Sequence, residues 1–508
     1  MGEPVVVSGE GLTLEEVTRV ARRWCPVTLD PASLERIAAS RAMLEKLVAE
    51  ERVVYGITTG FGRFSDVLIS REDAVQLQKN LIASHAAAVG DPLPTEVARG
   101  AILLRINALA KGCSGVRLLI VERLAELLNK GVTPVIPGQG SLGASGDLAP
   151  LSHLALVLTG QGEAYYRGRR LDGAAALAEA GIEPVTLREK EGLALINGTQ
   201  IMSALGSLAL WDSLNLLKAA QITAALTLEA QLAVADAFDP LIARVRPHRG
   251  HLRTAENMRR LLEESALIGS DGGKVQDAYS LRCIPQVHGA TADALEYVQS
   301  ILDVEINAVT DNPLLFAEEN RVLSGGNFHG QPLAQAMDFL AIAVAELGSI
   351  SERRVERLIN PALSGGLPPF LINGGGLNSG LMIAQYTAAS LVSENKVLCH
   401  PASVDSIPSS ANQEDHVSMG ATAARKARQV VENVGRVIGI ELLTACQAIG
   451  FRDPAKLGRG TSVAYRLLRK EVGFVEQDRV LYPLINAAVA LVRDGRLVEA
   501  VEKEVCLS

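Results

Sequence analysis

The chain has 508 residues, of which 48% are hydrophobic and 21% charged, so it can bury a large core and has room for two or three domains. Its net charge of -8, with Arg and Lys scattered along the chain, argues against a nucleic-acid-binding protein. The six cysteines form no CxxC pair, and we find neither an export signal nor an uncharged apolar run of about 18 residues. We therefore expect a cytoplasmic protein with free thiols and no membrane partner.

The fold is predicted to be mainly α, because aromatic residues make up only 4% of the chain and few β-branched clusters occur. Several long segments are apolar around most of their circumference, which indicates the central helices of a bundle. A modest break near residue 110 suggests a smaller, loop-rich N-terminal part (1–110) before the helical body (111–508). The segments with apolar spacings of three and four are 205–236, 286–308, 332–360, 377–398 and 417–449.

One tyrosine and one Ser-His pair stand out in the N-terminal part. Tyr55 opens the segment YGITTGFG, and Ser84 and His85 lie in the segment NLIASHAA. Alone, Tyr55 is best interpreted as a half-buried loop tyrosine with one hydrogen bond. A single histidine is usually a buried residue with a structural hydrogen bond. The residues by themselves assign neither position a function.

The glycine-rich stretch Gly138–Gly143 matches GxGxxG, follows a strand-like segment (132–136) and precedes Glu163 by about twenty residues, as in a dinucleotide site. Against this, Pro134 and Pro137 interrupt a central strand, and the remaining chain lacks alternating βαβ units. We therefore set a dinucleotide site aside. A plain alternative is a glycine-rich connection that caps the helix following it.

The next tripeptide, Ala144-Ser145-Gly146, suggests a different chemistry. The unhindered amide nitrogen of Gly146 can attack the carbonyl of Ala144 in a sharply bent chain, the adduct can lose one water, and Ser145 can then lose its hydroxyl as a second water. The product is a methylidene-imidazolone, an electron-poor alkene. A helix starting near Asp147 would point its positive end at the ring carbonyl and stabilise negative charge there. The chain would thus build its own electrophilic cofactor.

Further along the chain, Tyr279 and Arg282 are three residues apart in QDAYSLRC, hence on one face of a helix. A guanidinium such as that of Arg282 can bind a carboxylate through two parallel hydrogen bonds. Asn197 in NGTQ fits a turn, and Phe328 in NFHG fits a core residue.

The segment NQEDHVSM contains Glu414. Ser410 and Gln413 have the form of a capping box for a helix running on from Val417, and acidic residues would favour its positive end. This structural interpretation and a catalytic role for Glu414 can coexist.

In order and spacing, these motifs resemble those of the aromatic amino acid ammonia-lyases, the family of phenylalanine ammonia-lyase and histidase, over nearly the whole chain. The resemblance implies a long helical bundle of the fumarase/aspartase-like superfamily and a methylidene-imidazolone formed from the tripeptide, with no external cofactor. It also implies a homotetramer in which neighbouring subunits complete each active site.

The resemblance implies a role for each motif. Tyr55 and Glu414 would transfer protons, Asn197 would hold the prosthetic group and Phe328 would form a wall of the pocket. Arg282 would bind the carboxylate of an amino-acid substrate. Gln276 and Tyr279 would line the same pocket.

The Ser84-His85 pair resembles the histidine-specific type, whereas phenylalanine-specific relatives carry an apolar pair and tyrosine-specific ones a His-Leu pair. An imidazole offers one donor and one acceptor, which His85 and Glu414 can satisfy. The implied reaction is L-histidine to trans-urocanate and ammonia. Alternatives are a tyrosine or phenylalanine ammonia-lyase, an aminomutase or a catalytically silent scaffold. A metal enzyme is disfavoured because His329, His400 and His416 fit no ligand spacing.

Overall fold

The computed structural model describes residues 2–54, 56–60, 67–70, 73–272 and 274–508. Tyr55, one of the predicted site residues, lies outside the described residues. The chain divides into two compact units, each assembled from three segments. Unit 1 consists of Met1–Trp211, Gln299–Asp338 and Pro401–Arg425, and unit 2 consists of Asp212–Val298, Phe339–His400 and Lys426–Ser508.

The mainly α prediction is confirmed, because most of the described residues lie in helices. The helices span Leu14–Arg22 (α1), Pro31–Ala49 (α2), Ala74–His85 (α3), Thr95–Ala110 (α4), Leu118–Lys130 (α5), Leu148–Leu158 (α6), Gly173–Ala180 (α7), Glu191–Ile196 (α8), Gln200–Ala230 (α9), Pro240–Val245 (α10), Arg249–Leu261 (α11), Tyr279–Arg282 (α12), Ile284–Glu305 (α13), Gln331–Ile359 (α14), Met382–Leu398 (α15), Gly420–Ile449 (α16), Arg459–Glu471 (α17), Tyr482–Arg493 (α18) and Arg496–Glu502 (α19).

The strands are short. They span Val5–Val7 (β1), Val27–Leu29 (β2), Val89–Pro92 (β3), Thr133–Pro134 (β4), Pro137–Gln139 (β5), Glu163–Tyr166 (β6), Arg169–Asp172 (β7), Leu314–Phe316 (β8) and Arg321–Leu323 (β9). β1 pairs with β2 in parallel, whereas β3 with β5, β4 with β6, β6 with β7 and β8 with β9 are antiparallel. The strand-like segment 132–136 therefore belongs to a small antiparallel sheet, which is not the parallel sheet of a dinucleotide-binding fold.

In unit 1, α4 is buried from Val97 to Ala110 and packs against α1 and α5. The buried stretch includes Arg99, whose guanidinium donates to backbone carbonyls and lies 3.9 Å from the centroid of the Trp24 ring. A second group of helices, α3, α6 and α8, also packs together. This second group frames the cavity described below.

Unit 2 contains most of the later helices, and α14 contributes residues to both units. Within the described part of the chain, α14 alone combines the length and the hydropathy of a membrane span, but 61% of its most apolar window is buried inside the protein. Such burial is typical of a core helix.

Candidate functional site

The tripeptide lies in a tight turn. Gly143 and Gly146 form an isolated antiparallel bridge, so the chain reverses direction across Ala144 and Ser145. Gly146 has φ 76°, and a Cβ atom there would overlap the carbonyl oxygen of Gly198. Only glycine fits this backbone and this close approach. The sharp bend that cyclisation requires is thus present.

The segment between α8 and α9 stabilises this turn through hydrogen bonds. Asp147 N donates to Gly198 O at 2.7 Å, and Asn197 Nδ2 donates to Ser145 O at 2.9 Å. Asn197 is itself fixed by the buried guanidinium of Arg105, which donates to Asn197 O at 3.0 Å. Burial lowers the pKa of Arg105 to about 10. Asn197, which is predicted to hold the prosthetic group, thus donates to the carbonyl of Ser145 within the tripeptide, and its role stays a prediction.

Asp147 is fully buried and joins two helix N-termini. It is the N-cap residue of α6, but its carboxylate accepts from Ile201 N at 3.0 Å and Met202 N at 2.9 Å, in the first turn of α9. Ser141 Oγ donates to the same carboxylate at 3.0 Å. Burial raises the pKa of Asp147 to about 6, although these hydrogen bonds act in the opposite direction.

Glu414 faces the tripeptide. Ser145 Oγ donates to Glu414 Oε1 at 3.1 Å, and Ser409 Oγ donates to Glu414 Oε2 at 3.0 Å. The backbones of Ser409 and Glu414 also pair, which closes a loop whose residues 410–412 all have positive φ. The predicted capping box is wrong, because α16 begins only at Gly420, after left-handed Met419.

A cavity of about 1170 Å³ opens in unit 1, and its wall includes Ser145, Asn197, Phe328 and Glu414. One face of α3 forms another part of the wall. The α3 residues that line the cavity follow the helical spacing of three and four: Leu77, Asn80, Leu81, Ser84 and His85. The cavity therefore brings together five sequence-predicted positions, counting His85, that are distant along the chain.

His85, the last residue of α3, lies beside Ser84 Oγ, which is 3.0 Å from His85 Nδ1. Burial lowers the pKa of His85, while the carbonyl of Leu81 and the negative charge of Glu414 act to raise it. The lowered pKa favours the neutral imidazole, which can be a hydrogen-bond donor at one nitrogen and an acceptor at the other.

Phe328 lies in the loop that precedes α14. Asn312 orders the start of this loop, because its Oδ1 accepts from Gly325 N at 2.8 Å and its Nδ2 donates to Ser324 Oγ at 3.0 Å. The loop also meets the Glu414 segment, where the rings of His329 and His416 stack with centroids 5.8 Å apart. Among the described residues, no group of three or more His, Cys, Asp and Glu side chains is arranged to hold a metal ion.

Three predicted substrate-binding residues, Gln276, Tyr279 and Arg282, lie in unit 2. As expected from their spacing, Tyr279 and Arg282 share a face of α12, with Arg282 Cζ 4.7 Å from the Tyr279 ring centroid. Gln276 and Arg282 line a cavity of about 270 Å³ in that unit, and Tyr279 is 71% exposed. All the described residues that line the larger cavity belong to unit 1, so Gln276, Tyr279 and Arg282 of this chain are not among them.

Several polar residues of the cavity wall were not predicted from the sequence: Asn80, Asn312, Ser324 and Gln413. Asn80 could have been predicted from the sequence, because it lies four residues before Ser84 and therefore on the same face of a helix. The contact between Ser409 and Glu414 could not have been predicted, because it depends on a left-handed loop without glycine.

A family model described as aromatic amino acid lyase matches residues 12–470. Histidine ammonia-lyase of Caldanaerobacter subterraneus is 59% identical over 98% of both chains, and that of Symbiobacterium thermophilum is 60% identical over 97% of both chains. Among solved structures, histidine ammonia-lyase from Trypanosoma cruzi has a TM-score of 0.93 and 46% identity, covering 99% of this chain and 96% of its own. Tyrosine aminomutase from Streptomyces globisporus has a TM-score of 0.95 and 41% identity, covering 99% of both. The predicted family and fold are confirmed, and the chain belongs to the aromatic amino acid lyase family.

Proposed function

We propose that this protein is a histidine ammonia-lyase that converts L-histidine to trans-urocanate and ammonia in the cytoplasm. The observation that carries the proposal is the cavity of about 1170 Å³, where Ser145 Oγ hydrogen-bonds to Glu414 and His85 is one of the lining residues. The similarity to relatives named histidine ammonia-lyase supports the choice of substrate.

The tripeptide fits a methylidene-imidazolone. Ala144 is buried, Gly146 leaves its nitrogen without a side chain beside it, and the turn brings the two residues to one bend. The group would supply an electrophilic methylene at Ser145. The donors that surround it in this chain are Asn197 Nδ2 and the N-terminal end of α6, both suited to stabilise negative charge.

Glu414 is the residue best placed to move a proton. Its carboxylate is held by Ser409 on one oxygen and reaches Ser145 Oγ with the other. We assign to it the removal of the weakly acidic β-proton of the substrate, with Tyr55 as a second proton-transfer residue. Phe328 and one face of α3 line the cavity, and we assign the recognition of the substrate's imidazole to His85.

The carboxylate of the substrate needs a cation that the described wall of the cavity lacks. We infer that Arg282, with Tyr279 and Gln276, supplies this part of the site from a neighbouring subunit of a homotetramer. The exposure of Tyr279, and an Nε of Arg282 without a hydrogen-bond partner among the described residues, support this assignment.

A second candidate is an aminomutase, because tyrosine aminomutase is a structural neighbour at a TM-score of 0.95. An aminomutase would return the amine to the β carbon, so product analysis separates the two activities. Ser84-His85 favours the histidine lyase, since a polar pair suits an imidazole better than a phenyl ring.

The test is the Ser145→Ala variant beside the wild type, with L-histidine, L-tyrosine and L-phenylalanine as substrates. We expect urocanate absorbance from the wild type with L-histidine and no product from the variant. The intact mass of the wild type should be lower than the sequence mass by two waters. Ser462→Ala, at a half-buried position of α17, is the matched control and should behave as wild type. Normal turnover by Ser145→Ala would exclude the proposal.

A further inference from the structure

The polar end of α3 contains a small hydrogen-bond chain. Ser84 Oγ lies 3.1 Å from Leu81 O, one turn earlier in the helix, and 3.0 Å from Nδ1 of the neighbouring His85. Both Ser84 and His85 line the cavity with Glu414. In the part of the chain that the structure describes, no group hydrogen-bonds to the other ring nitrogen of His85, Nε2.

The protons of this chain can be counted. The carbonyl oxygen of Leu81 can only accept, so the bond between it and Ser84 uses the single hydroxyl proton. With the hydroxyl proton used there, the contact of 3.0 Å between Ser84 Oγ and His85 Nδ1 needs a proton on Nδ1, and the carbonyl of Leu81, which also accepts from the imidazole, favours the same position. A neutral imidazole with its proton on Nδ1 carries a lone pair on Nε2.

We propose that Ser84 is a positioning residue that fixes His85 as the Nδ1-H tautomer, so that Nε2 accepts a hydrogen bond from the N–H of the substrate's imidazole ring. This inference rests on the proposed function. It goes beyond the histidine-type sequence pair, because it states which partner donates and which accepts, and it assigns the direction to Ser84.

The direction of this hydrogen bond gives His85 and Glu414 different roles in the cavity. If Nε2 of His85 accepts the ring N–H, Glu414 is not needed to hold that proton. Its carboxylate, already bound to Ser409, is then free for proton transfer. The same lone pair selects against substrates with an apolar ring, which would leave a desolvated acceptor without a donor.

The test compares the steady-state kinetics of Ser84→Ala and Ser84→Thr with the wild type, using L-histidine. Removing the hydroxyl lets His85 adopt either tautomer and weakens the ring contact, so we expect KM to rise about tenfold while kcat changes less than about twofold. The threonine hydroxyl can make the same backbone bond in a helix, so the KM of Ser84→Thr should stay close to the wild-type value. Ser462→Ala has the same type of helical serine-carbonyl bond and should leave KM unchanged.

A double-mutant cycle shows whether Ser84 acts through His85. In a His85→Gln background there is no tautomer to fix, so Ser84→Ala should have no further effect on KM. An equal effect of Ser84→Ala in both backgrounds, or a loss confined to kcat, would overturn the inference. If the wild type forms urocanate and Ser84→Ala has an unaltered KM, the role of Ser84 is rejected and the proposed function stands. A wild type that forms no urocanate rejects the proposed function and this inference with it.

Discussion

Glu414 depends on a loop without glycine for its position. Ser410, Ala411 and Asn412 all have positive φ, a conformation that costs free energy in L-residues. The cost is offset by the paired backbones of Ser409 and Glu414 and by the bond from Ser409 Oγ to the carboxylate. The loop thereby fixes one oxygen of Glu414 and leaves the other facing Ser145.

Asp147 gives a pH-dependent contribution to stability. Its pKa rises from the ordinary 3.8 to about 6 on burial, so between these values the folded protein binds more protons than the unfolded chain. Stability from this group is therefore greatest at low pH and is lost as the pH rises through about 6.

We expect the free energy of unfolding of the wild type, relative to Asp147→Asn, to fall by about 1–2 kcal/mol between pH 5 and pH 7. Thermal midpoints of the two proteins at both pH values measure this difference. The asparagine variant cannot titrate at this position, so any constant loss of hydrogen bonding cancels in the comparison. A difference that does not change with pH would show that the carboxylate is ionised over the whole range.

At the scale of elements, one carboxylate in unit 2 joins three long helices. Glu441 of α16 accepts from Arg354 of α14 at 2.5 Å and 2.8 Å, and both side chains are completely buried. Ser351 of α14 and Thr227 of α9 donate to the same carboxylate. A buried ion pair of this kind is stable only because its hydrogen bonds are nearly all satisfied.

Arg354→Met should therefore destabilise the protein by about 3–5 kcal/mol, because it leaves the Glu441 carboxylate buried without its counter-charge. The double variant Arg354→Met with Glu441→Leu should recover much of this loss, since an apolar pair of similar volume has no charge to desolvate. Thermal or denaturant unfolding measures both. Arg459→Met removes one partner of an exposed pair with Glu263 and should change stability by less than about 1 kcal/mol. Equal losses in Arg354→Met and Arg459→Met would refute the argument.

The helices were largely predictable, because each long apolar segment has one dominant period. The predicted segment 332–360 corresponds to α14, and 286–308 corresponds to α13. The starts were less predictable. The segment predicted from residue 417 becomes α16 at Gly420, since Met419 is left-handed and donates its N–H to Leu142 O at 3.0 Å. That bond comes from tertiary structure, which a local pattern does not contain.

For the whole molecule, the candidate site was predictable only through the joint resemblance of its motifs. Ser145 and Glu414 are 269 residues apart, and nothing in either local sequence indicates that they meet. The α3 residues that line the cavity follow a helical period in the sequence. The loop that begins at Ser409 lines the same cavity, and its conformation follows no sequence period. The division of the chain near residue 110 stays a prediction.

The proposal that subunits share active sites gives a prediction for the assembled protein. Ser145 belongs to unit 1 and Arg282 to unit 2, and the described wall of the Ser145 cavity does not include Arg282. If the guanidinium comes from a neighbouring chain, Ser145→Ala and Arg282→Ala damage different partners of each site. Each variant alone should be nearly inactive, because every site then lacks one of the two groups.

Subunits of the two variants, mixed in equal amounts and reassembled, should form some sites from one intact Ser145 and one intact Arg282. Random assembly makes about a quarter of the sites complete, so about a quarter of wild-type urocanate production should return. Size-exclusion chromatography confirms that the mixed protein has the mass of the wild-type oligomer. Reassembly of Ser145→Ala with itself is the control and should recover no activity. A mixed oligomer of correct mass that stays inactive would mean that Arg282 does not complete a neighbour's site.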